Sequence, residues 1–261
     1  MKVMTIAVAV AATLFAGSVV AQELTGTLKK IRDSGKIVMG VRDSSSPLSY
    51  TLGGGKYAGF HVELCERAVE NIKNQLKLPK LEIQYMAVTS QNRIPLTENG
   101  TIDIECGSTT NNAARQKQVA FADTTYITEV RTAVKTSSNI TSIAQLNGRN
   151  VATTTGTTSV QHLRKHERSK GVNFNEIYGK DHADSFLLME SGRADAFVMD
   201  DNILAGLIST AKTPSDFKIV GEVLSVEPIA IMMRKDDAAL KKSIDGTIAA
   251  MVKSGEFALY Q

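Results

Sequence analysis

Apolar positions along this chain alternate between helical spacing and short continuous runs, and this alternation predicts an α/β fold. Helical spacing occurs over 60–76, 159–168, 184–191 and 238–252, whereas short runs typical of buried strands occur over 81–88, 174–178 and 228–234. Strands that alternate with helices normally form parallel sheets covered by helices. We therefore expect parallel sheets.

One local plan occurs twice in the chain. The segments ENGTIDI at 98–104 and ESGRADA at 190–196 each predict a helix end, a glycine in the left-handed conformation and a buried strand. A second pair, SGKIV at 34–38 and NGRNV at 147–151, predicts the first strand of each half. The repetition predicts two α/β lobes with one sheet each.

The last predicted strand and helix follow no strong linker, so we expect them to return to the first lobe. The expected division is a first lobe over 22–127 and 225–261, with a second lobe over 128–224. Two crossings of the chain would place a hinge behind a cleft, and closure around a ligand is the expected motion.

The first residues predict export. Lys2 precedes an apolar run over 3–15 and a small-residue site at 19–21, which is typical of a cleavable signal peptide over 1–21. No segment reaches the roughly 20 apolar residues of a membrane span, so we expect residues 22–261 to reach the periplasm without stable membrane insertion. The net charge of +3 is spread over interspersed acidic and basic residues, which argues against nucleic acid as a partner.

The two cysteines allow two interpretations. In an oxidising compartment Cys65 and Cys106 could form a disulfide. Cys65 also fits the apolar face of the helix predicted over 60–76, so the alternative is that it is a buried packing residue. The sequence leaves this choice open.

Polar residues lie at or shortly after several predicted strand ends, where open α/β sheets form their ligand crevice. They are Arg42, Ser90, Arg93, Ser108, Thr110, Arg115, Thr157, Thr158, His182 and Asp200. Guanidinium, hydroxyl, imidazole and carboxylate groups in one place predict a cleft for a small ligand that is both anionic and aminated.

Three parts of this set suit an amino acid backbone. Arg115 can hold a carboxylate through two hydrogen bonds, although an exposed helix arginine is the alternative. The segment TGTTS at 155–159 follows a strand and opens a helix, so its free N–H groups form an anion site, with plain helix capping as the alternative. Asp200 ends an apolar run and suits an ammonium group.

The remaining groups suit a second anion. Arg42, Arg93 and His182, with the hydroxyls of Ser90 and Ser108, remain for the far end of the ligand. Three arginines against one aspartate leave a positive surplus, which favours a dicarboxylic amino acid over a neutral one. The predicted ligand is L-glutamate or L-aspartate, and the choice between them stays open.

Four runs carry a resemblance to a known family: VTSQNRIPL at 88–96, ECGSTTNN at 105–112, KDH at 180–182 and MDD at 199–201. With them the chain, from about residue 28 to residue 256, resembles the periplasmic glutamate/aspartate-binding proteins of ABC importers, in the family 3 solute-binding class. The resemblance implies a type II periplasmic-binding-protein fold, an inner-membrane permease as partner, a monomer and no cofactor or metal.

The resemblance also assigns roles to residues. It implies that Thr110, Arg115, Thr157, Thr158 and Asp200 hold the α-carboxylate and α-ammonium groups. It associates the other five predicted site residues with the side-chain carboxylate. Such proteins usually continue beyond the region of 254–256 through an aromatic segment, so we expect some apolar surface of the first lobe to be uncovered.

Two other functions use the same scaffold. A cyclohexadienyl dehydratase-like enzyme also holds a carboxylate with arginine, but it needs a general acid, and with Asp200 assigned to the ammonium only His182 remains. A ligand-sensing module for a membrane receptor would use the same cleft. No Gly-x-Ser-x-Gly nucleophile motif is present.

Two further motifs have simple structural interpretations. Three glycines at 53–55 predict a hairpin turn. His162 and His166 have the spacing of metal ligands on a helix, but no third ligand accompanies them, so we interpret this helix as a solvated basic one.

Overall fold

The computed structural model describes residues 24–260, and the predicted signal peptide over 1–21 lies outside them. The strands are β1 Lys36–Val41, β2 Ser44–Ser45, β3 Ser49–Gly53, β4 Lys56–Ala58, β5 Glu82–Ala87, β6 Ile104–Glu105, β7 Val119–Phe121, β8 Tyr126–Lys135, β9 Asn150–Thr154, β10 Asn175–Gly179, β11 Ala196–Asp200, β12 Phe217–Ile229 and β13 Met232–Arg234. The helices are α1 Gly26–Ser34, α2 Phe60–Gln75, α3 Arg93–Glu98, α4 Thr158–Lys170, α5 His182–Glu190, α6 Asp201–Thr210 and α7 Ala238–Ser254. In this part of the chain no helix is long and apolar enough to span a bilayer.

Two five-stranded sheets form the two lobes. The first sheet has the order β5-β1-β6-β13-β7 and the second has the order β10-β9-β11-β8-β12. A small third sheet, β2-β3-β4, contains the predicted glycine hairpin turn between β3 and β4. The predicted helices, and the predicted strands over 81–88 and 174–178, end within two residues of the observed ones.

The sheets are mixed, so the expectation of purely parallel sheets is wrong. β1 pairs in parallel with β5 and β6, but β13 runs antiparallel to β6 and β7. In the second sheet β11 is parallel to β9 and antiparallel to β8. Parallel neighbours need a crossover connection within one sheet, whereas β8 and β13 arrive directly from the opposite sheet and enter in the reverse direction.

The predicted strand over 228–234 is in fact two strands of different sheets. Ile229 ends β12 in the second sheet, and Met232 begins β13 in the first. Between them Ala230 donates its N–H to the Thr109 carbonyl, and Ile231 accepts from the Ala122 N–H. Apolar composition continues across this break because both sheets bury it, so the pattern could not reveal the change of sheet.

The long pair β8 and β12 connects the lobes. Residues 126–130 pair with 225–229, and a register shift between Val220 and Ser225 separates this stretch from the rest of the pairing. The predicted lobe limits, at 127/128 and 224/225, fall within these two strands and stay a prediction.

The apolar periodicity places the cores. Helices α1, α2 and α7 pack their buried residues, among them Ile31, Leu64 and Ile244, on the first sheet. Along β11, Ala196 and Val198 face one core of the second lobe, whereas Phe197 and Met199 face the other. A strand buried on both faces must be apolar throughout, which explains the continuous run before Asp200.

Within each lobe the two kinds of repeated segment contact each other: 98–104 contacts 34–38, and 190–196 contacts 147–151. The Asp103 carboxylate, from the first repeat, accepts from the Val38 N–H at 2.8 Å and from Lys30 Nζ at 2.7 Å. At the matching place in the second lobe, the Asp195 carboxylate accepts from the Asn150 N–H at 3.0 Å. The aspartate in each copy therefore fastens the beginning of the central strand, β6 or β11, to the neighbouring strand, β1 or β9.

These two aspartates allow a matched stability test. We expect Asp103→Ala to lower the free energy of unfolding by about 2 kcal/mol, because it removes a buried acceptor from the Val38 N–H and a partner from Lys30. Asp195→Ala should lower it by less than about 1 kcal/mol, because that side chain is 38% exposed. Urea titration of both variants measures the difference, and equal losses would contradict this explanation of the repeat.

Candidate functional site

The carboxyl ends of both sheets meet in one cleft, where all ten predicted site residues lie. Six come from the first lobe and four from the second, and every one of them is at most 8% exposed. Arginine is rarely buried to this extent, so the burial of three arginines together marks this cleft as unusual. Arg115 is buried at the start of a short 3₁₀ turn over 115–117, and it is not the exposed helix arginine that the sequence allowed.

Arg42 gathers the groups predicted for the second anion. Its Nη2 donates to Ser90 Oγ at 3.0 Å and lies 3.2 Å from His182 Nε2, and its Nη1 donates to Ser108 Oγ at 3.4 Å. Nη2 also donates to Asp181 Oδ1 at 2.6 Å. Asp181 is a residue that sequence reasoning did not select. Burial disfavours its ionised form, but the charges and hydrogen bonds of its neighbours, Arg42 foremost, together outweigh burial and lower the Asp181 pKa.

His182 is neutral in this setting. Burial, together with the charge of Arg42, lowers the pKa of His182 to about 3. A guanidinium only donates hydrogen bonds, so Nε2 of His182 accepts from Arg42 and Nδ1 carries the proton. Nδ1 lies 3.0 Å from Thr154 Oγ1 and donates a hydrogen bond to it. His182 therefore contributes no charge to the site.

Arg93 is buried with unsatisfied donors. Its Nη1 lies 4.0 Å from Glu105 Oε1, and within residues 24–260 neither its Nε nor its Nη1 has a hydrogen-bond partner. Burial, together with the charges of Arg115 and Arg42, lowers the pKa of Arg93 to about 9, so it is still cationic at neutral pH. An unsatisfied buried donor normally destabilises a protein by about 1–3 kcal/mol, so this guanidinium is suited to an anion that enters the cleft.

Arg115 and the beginning of α4 face each other across the cleft. Nη1 of Arg115 donates to the Thr110 carbonyl at 2.9 Å and Nη2 to the Gly156 carbonyl at 3.4 Å. Burial lowers the Arg115 pKa, and the charge of Glu227 partly offsets this. Thr157 precedes α4 but does not cap it, since its hydroxyl donates to the Thr154 carbonyl at 2.8 Å. The alternative of plain capping by Thr157 is therefore wrong.

Asp200 ends β11 without a partner. Its carboxylate makes no hydrogen bond or ion pair that involves the described residues, although it is 5% exposed. Burial, together with the charge of Glu227, raises the Asp200 pKa to about 7. The charges of Arg93 and Arg115 act in the opposite direction. A buried carboxylate of this kind is suited to a cation in the cleft.

Glu227 is the largest omission of the sequence reasoning. On β12 it is 3% exposed, and its Oε2 accepts from Thr110 Oγ1 at 2.5 Å and Thr158 Oγ1 at 2.6 Å. Its Oε1 lies 2.5 Å from His162 Nε2, so the interpretation of His162 as part of a solvated helix is wrong. The available signal was an acidic residue inside the apolar stretch of 226–233.

The charge count made from the sequence is also wrong. Asp181, Glu105 and Glu227 add three carboxylates beside Arg42, Arg93 and Thr110, so the arginines carry no clear positive surplus. A preference for an acidic ligand must therefore come from which guanidinium atoms stay free, and not from the net charge.

A disulfide and a histidine hold the loop that carries Ser108 and Thr110. Cys65 on α2 is joined to Cys106, and both are fully buried. One turn earlier in α2, His61 Nδ1 lies 2.5 Å from the Gly107 carbonyl. Burial lowers the His61 pKa to about 4, so its ring is neutral and Nδ1 donates to that carbonyl. The first-lobe side of the cleft is thus fixed from behind.

The lobes touch on both sides of the site. On one side Ser44 Oγ donates to Asp181 Oδ2 at 2.6 Å. On the other, Gly156 has φ of +82°, and a Cβ there would lie 2.7 Å from Gln91 Cα. Only glycine allows this approach. Because the lobes touch on both sides of the site, the structure shows the cleft in a closed form.

Comparison with known proteins identifies close relatives. The model of the family described as bacterial extracellular solute-binding proteins, family 3, matches residues 37–261. An L-glutamate/L-aspartate-binding protein of Pseudomonas aeruginosa is 48% identical over 95% of this chain and 82% of its own length. A glutamate/aspartate import solute-binding protein of Escherichia coli K12 is 44% identical over 96% of this chain and 83% of its own length.

The fold has solved counterparts as well. A crystal structure of a mutant of ArgBP from T. maritima superposes with a TM-score of 0.79 at 24% identity, over 90% of this chain and 97% of that one. The likeness confirms the predicted type II periplasmic-binding-protein fold.

The environment of Asp200 predicts a pH dependence of stability. Its folded pKa of about 7 exceeds the ordinary aspartate pKa of 3.8, so the folded protein binds one more proton than the unfolded chain between these pH values. We expect stability to fall by about 1 kcal/mol per pH unit as the pH rises towards 7, and to level off above it.

Asp200→Asn isolates this effect because the amide does not titrate. Urea titrations of both proteins at intervals from pH 5 to 8 measure it as the difference between their free energies of unfolding. If that difference does not change with pH, Asp200 does not have the raised pKa.

Proposed function

Since this chain belongs to the bacterial extracellular solute-binding proteins of family 3, we propose that it binds L-glutamate or L-aspartate between its two lobes. Membership of a solute-binding family confirms the expectation of a binding protein that performs no chemistry. The proposal concerns which solute is bound and which residues hold it.

The observation that carries the proposal is the state of Arg93. It is 2% exposed, yet its Nε and Nη1 have no partner within residues 24–260, and Glu105 lies too far away for a hydrogen bond. A ligand carboxylate beside Arg93 would compensate the charge of its guanidinium and accept a hydrogen bond from a donor that otherwise has no partner. A neutral amide in the same place offers one acceptor and brings further donors, so an acidic side chain is favoured.

The other end of the site suits the backbone of an amino acid. Arg115 and the N–H groups at the beginning of α4 would hold the α-carboxylate, because the helix N-terminus carries partial positive charge. Asp200 would bind the α-ammonium group, which supplies the cation that its buried carboxylate lacks. Arg42, Ser90, Ser108 and His182 would complete the environment of the side-chain carboxylate.

The dehydratase alternative would need a general acid, and Asp200, whose raised pKa of about 7 would suit that role, is assigned to the ammonium group of the ligand. His182, the remaining candidate, has a pKa of about 3, and its Nε2 accepts from Arg42. A general acid at neutral pH needs a pKa near the working pH. The geometry therefore favours reversible binding.

We further propose that the mature protein works in the periplasm as a monomer and delivers its ligand to an inner-membrane ABC permease. The signal peptide predicted over 1–21 supports export. A buried Cys65–Cys106 disulfide supports an oxidising compartment. The name of the Escherichia coli relative refers to import, which supports the transport role.

Three substitutions test the site assignment by calorimetric titration of residues 22–261, unfolded and refolded to remove carried ligand. Arg93→Ala should weaken L-glutamate and L-aspartate by about a hundredfold and L-glutamine much less, because it removes a charge pair specific to acidic side chains. Arg115→Ala and Asp200→Ala should weaken all three amino acids.

The matched control is Arg168→Ala, which removes an exposed arginine from the last turn of α4. It should leave every affinity unchanged. Equal losses for acidic and neutral ligands in Arg93→Ala would refute the assignment of Arg93, and a folded wild-type protein that binds neither acidic amino acid would refute the proposed function.

A further inference from the structure

Glu227 connects parts of the cleft that are far apart in the sequence. It accepts hydrogen bonds from Thr110 of the first lobe and Thr158 of the second on one oxygen, and contacts His162 through the other. It lies between the lobes, where β12 approaches the first sheet. Its position fits a role in the ligand site that neither the sequence pattern nor the family resemblance assigned.

The carboxylate of Glu227 is ionised. Burial raises its pKa, but the hydrogen bonds from His162, Thr110 and Thr158 outweigh burial, so the net shift is downward. An ionised carboxylate can only accept hydrogen bonds. Thr110 and Thr158 must therefore both donate to Oε2, and His162 donates from Nε2 to Oε1.

This arrangement fixes the direction of both threonine hydroxyls. A hydroxyl has a single proton, so a threonine that donates to Glu227 has only lone pairs left for another partner. The two hydroxyl oxygens lie 3.4 Å apart and are both buried at the cleft. Near Asp200, these two hydroxyls therefore act as acceptors and cannot donate to a ligand carboxylate.

We propose that Glu227, held by His162, fixes Thr110 and Thr158 as hydrogen-bond acceptors for the ammonium group of the ligand, and that the protein thereby selects aminated dicarboxylates over those without an amine. The inference rests on the proposed function and deepens it. It removes Thr110 and Thr158 from the α-carboxylate, which remains with Arg115 and the N–H groups of α4. Glu227 and His162 are positioning residues, because they act through the threonines.

Thr157 provides an internal contrast. Its hydroxyl donates to the Thr154 carbonyl, whereas the hydrogen bonds of the Glu227 carboxylate within residues 24–260 come from Thr110, Thr158 and His162. Neighbouring threonines of one segment therefore have different roles, and Glu227 determines which of them faces an amine.

The test compares L-glutamate with glutarate, which has the same two carboxylates and no amine. Both are titrated by calorimetry into the refolded wild-type protein, Glu227→Gln and the control Glu222→Gln. Glu222 is an exposed residue of the same strand. We expect the wild type and the control to prefer glutamate, and Glu227→Gln to reduce the preference at least about tenfold through weaker glutamate binding.

A merely structural role of Glu227 would weaken both ligands equally, and an unchanged preference in folded Glu227→Gln would overturn the inference. Thr158→Val decides the matter if Glu227→Gln does not fold. It should weaken glutamate and spare glutarate, whereas equal losses would mean that the hydroxyl serves a carboxylate. Wild-type protein that binds no acidic amino acid overturns the proposed function and this inference together, but an unchanged preference overturns only the inference.

Discussion

Three buried guanidinium groups are the constraint on which the rest of this structure depends. Arg42, Arg93 and Arg115 lie in one cleft with at most 8% exposure, and each keeps its charge only if neighbouring groups compensate for lost water. Arg42 is compensated by Asp181 from the opposite lobe, and Arg115 by backbone carbonyls and the charge of Glu227. Arg93 has the weakest compensation, with Glu105 at 4.0 Å. The uneven distribution of partners gives each arginine a different capacity for an incoming anion.

Much of the fold could be predicted because its causes are local. Apolar spacing places Ile31, Leu64 and Ile244 in a core, and the repeated ESGRADA-type segments predict two similar lobes. Strand direction is not a local property. The residues of β8 and β13 do not reveal the direction of these strands, because only the path of the chain between the lobes makes them antiparallel.

The candidate site divides in the same way. Strand ends are visible in the sequence, so all ten selected side chains lie in the cleft. Asp181 follows the same strand end as His182, but its partner Arg42 is 139 residues away and only the fold shows the pairing. Glu227 lies inside a strand and not at its end, and its partner Thr110 is 117 residues away. A carboxylate inside an apolar strand is nevertheless a sign of a buried partner, and Glu227 shows how such a residue reverses a charge count made from arginines alone.

The contact of Gly156 with Gln91 has a consequence for the size of any ligand. In the closed form the two backbones meet with no room for a single methyl group, since a Cβ at residue 156 would come within 2.7 Å of Gln91 Cα. Closure therefore stops at a fixed backbone separation, and the contact acts as a steric gauge of what lies between the lobes. A solute one bond too long would keep the two lobes apart at this point. Backbone atoms alone, without any side chain, would therefore limit the length of the ligand.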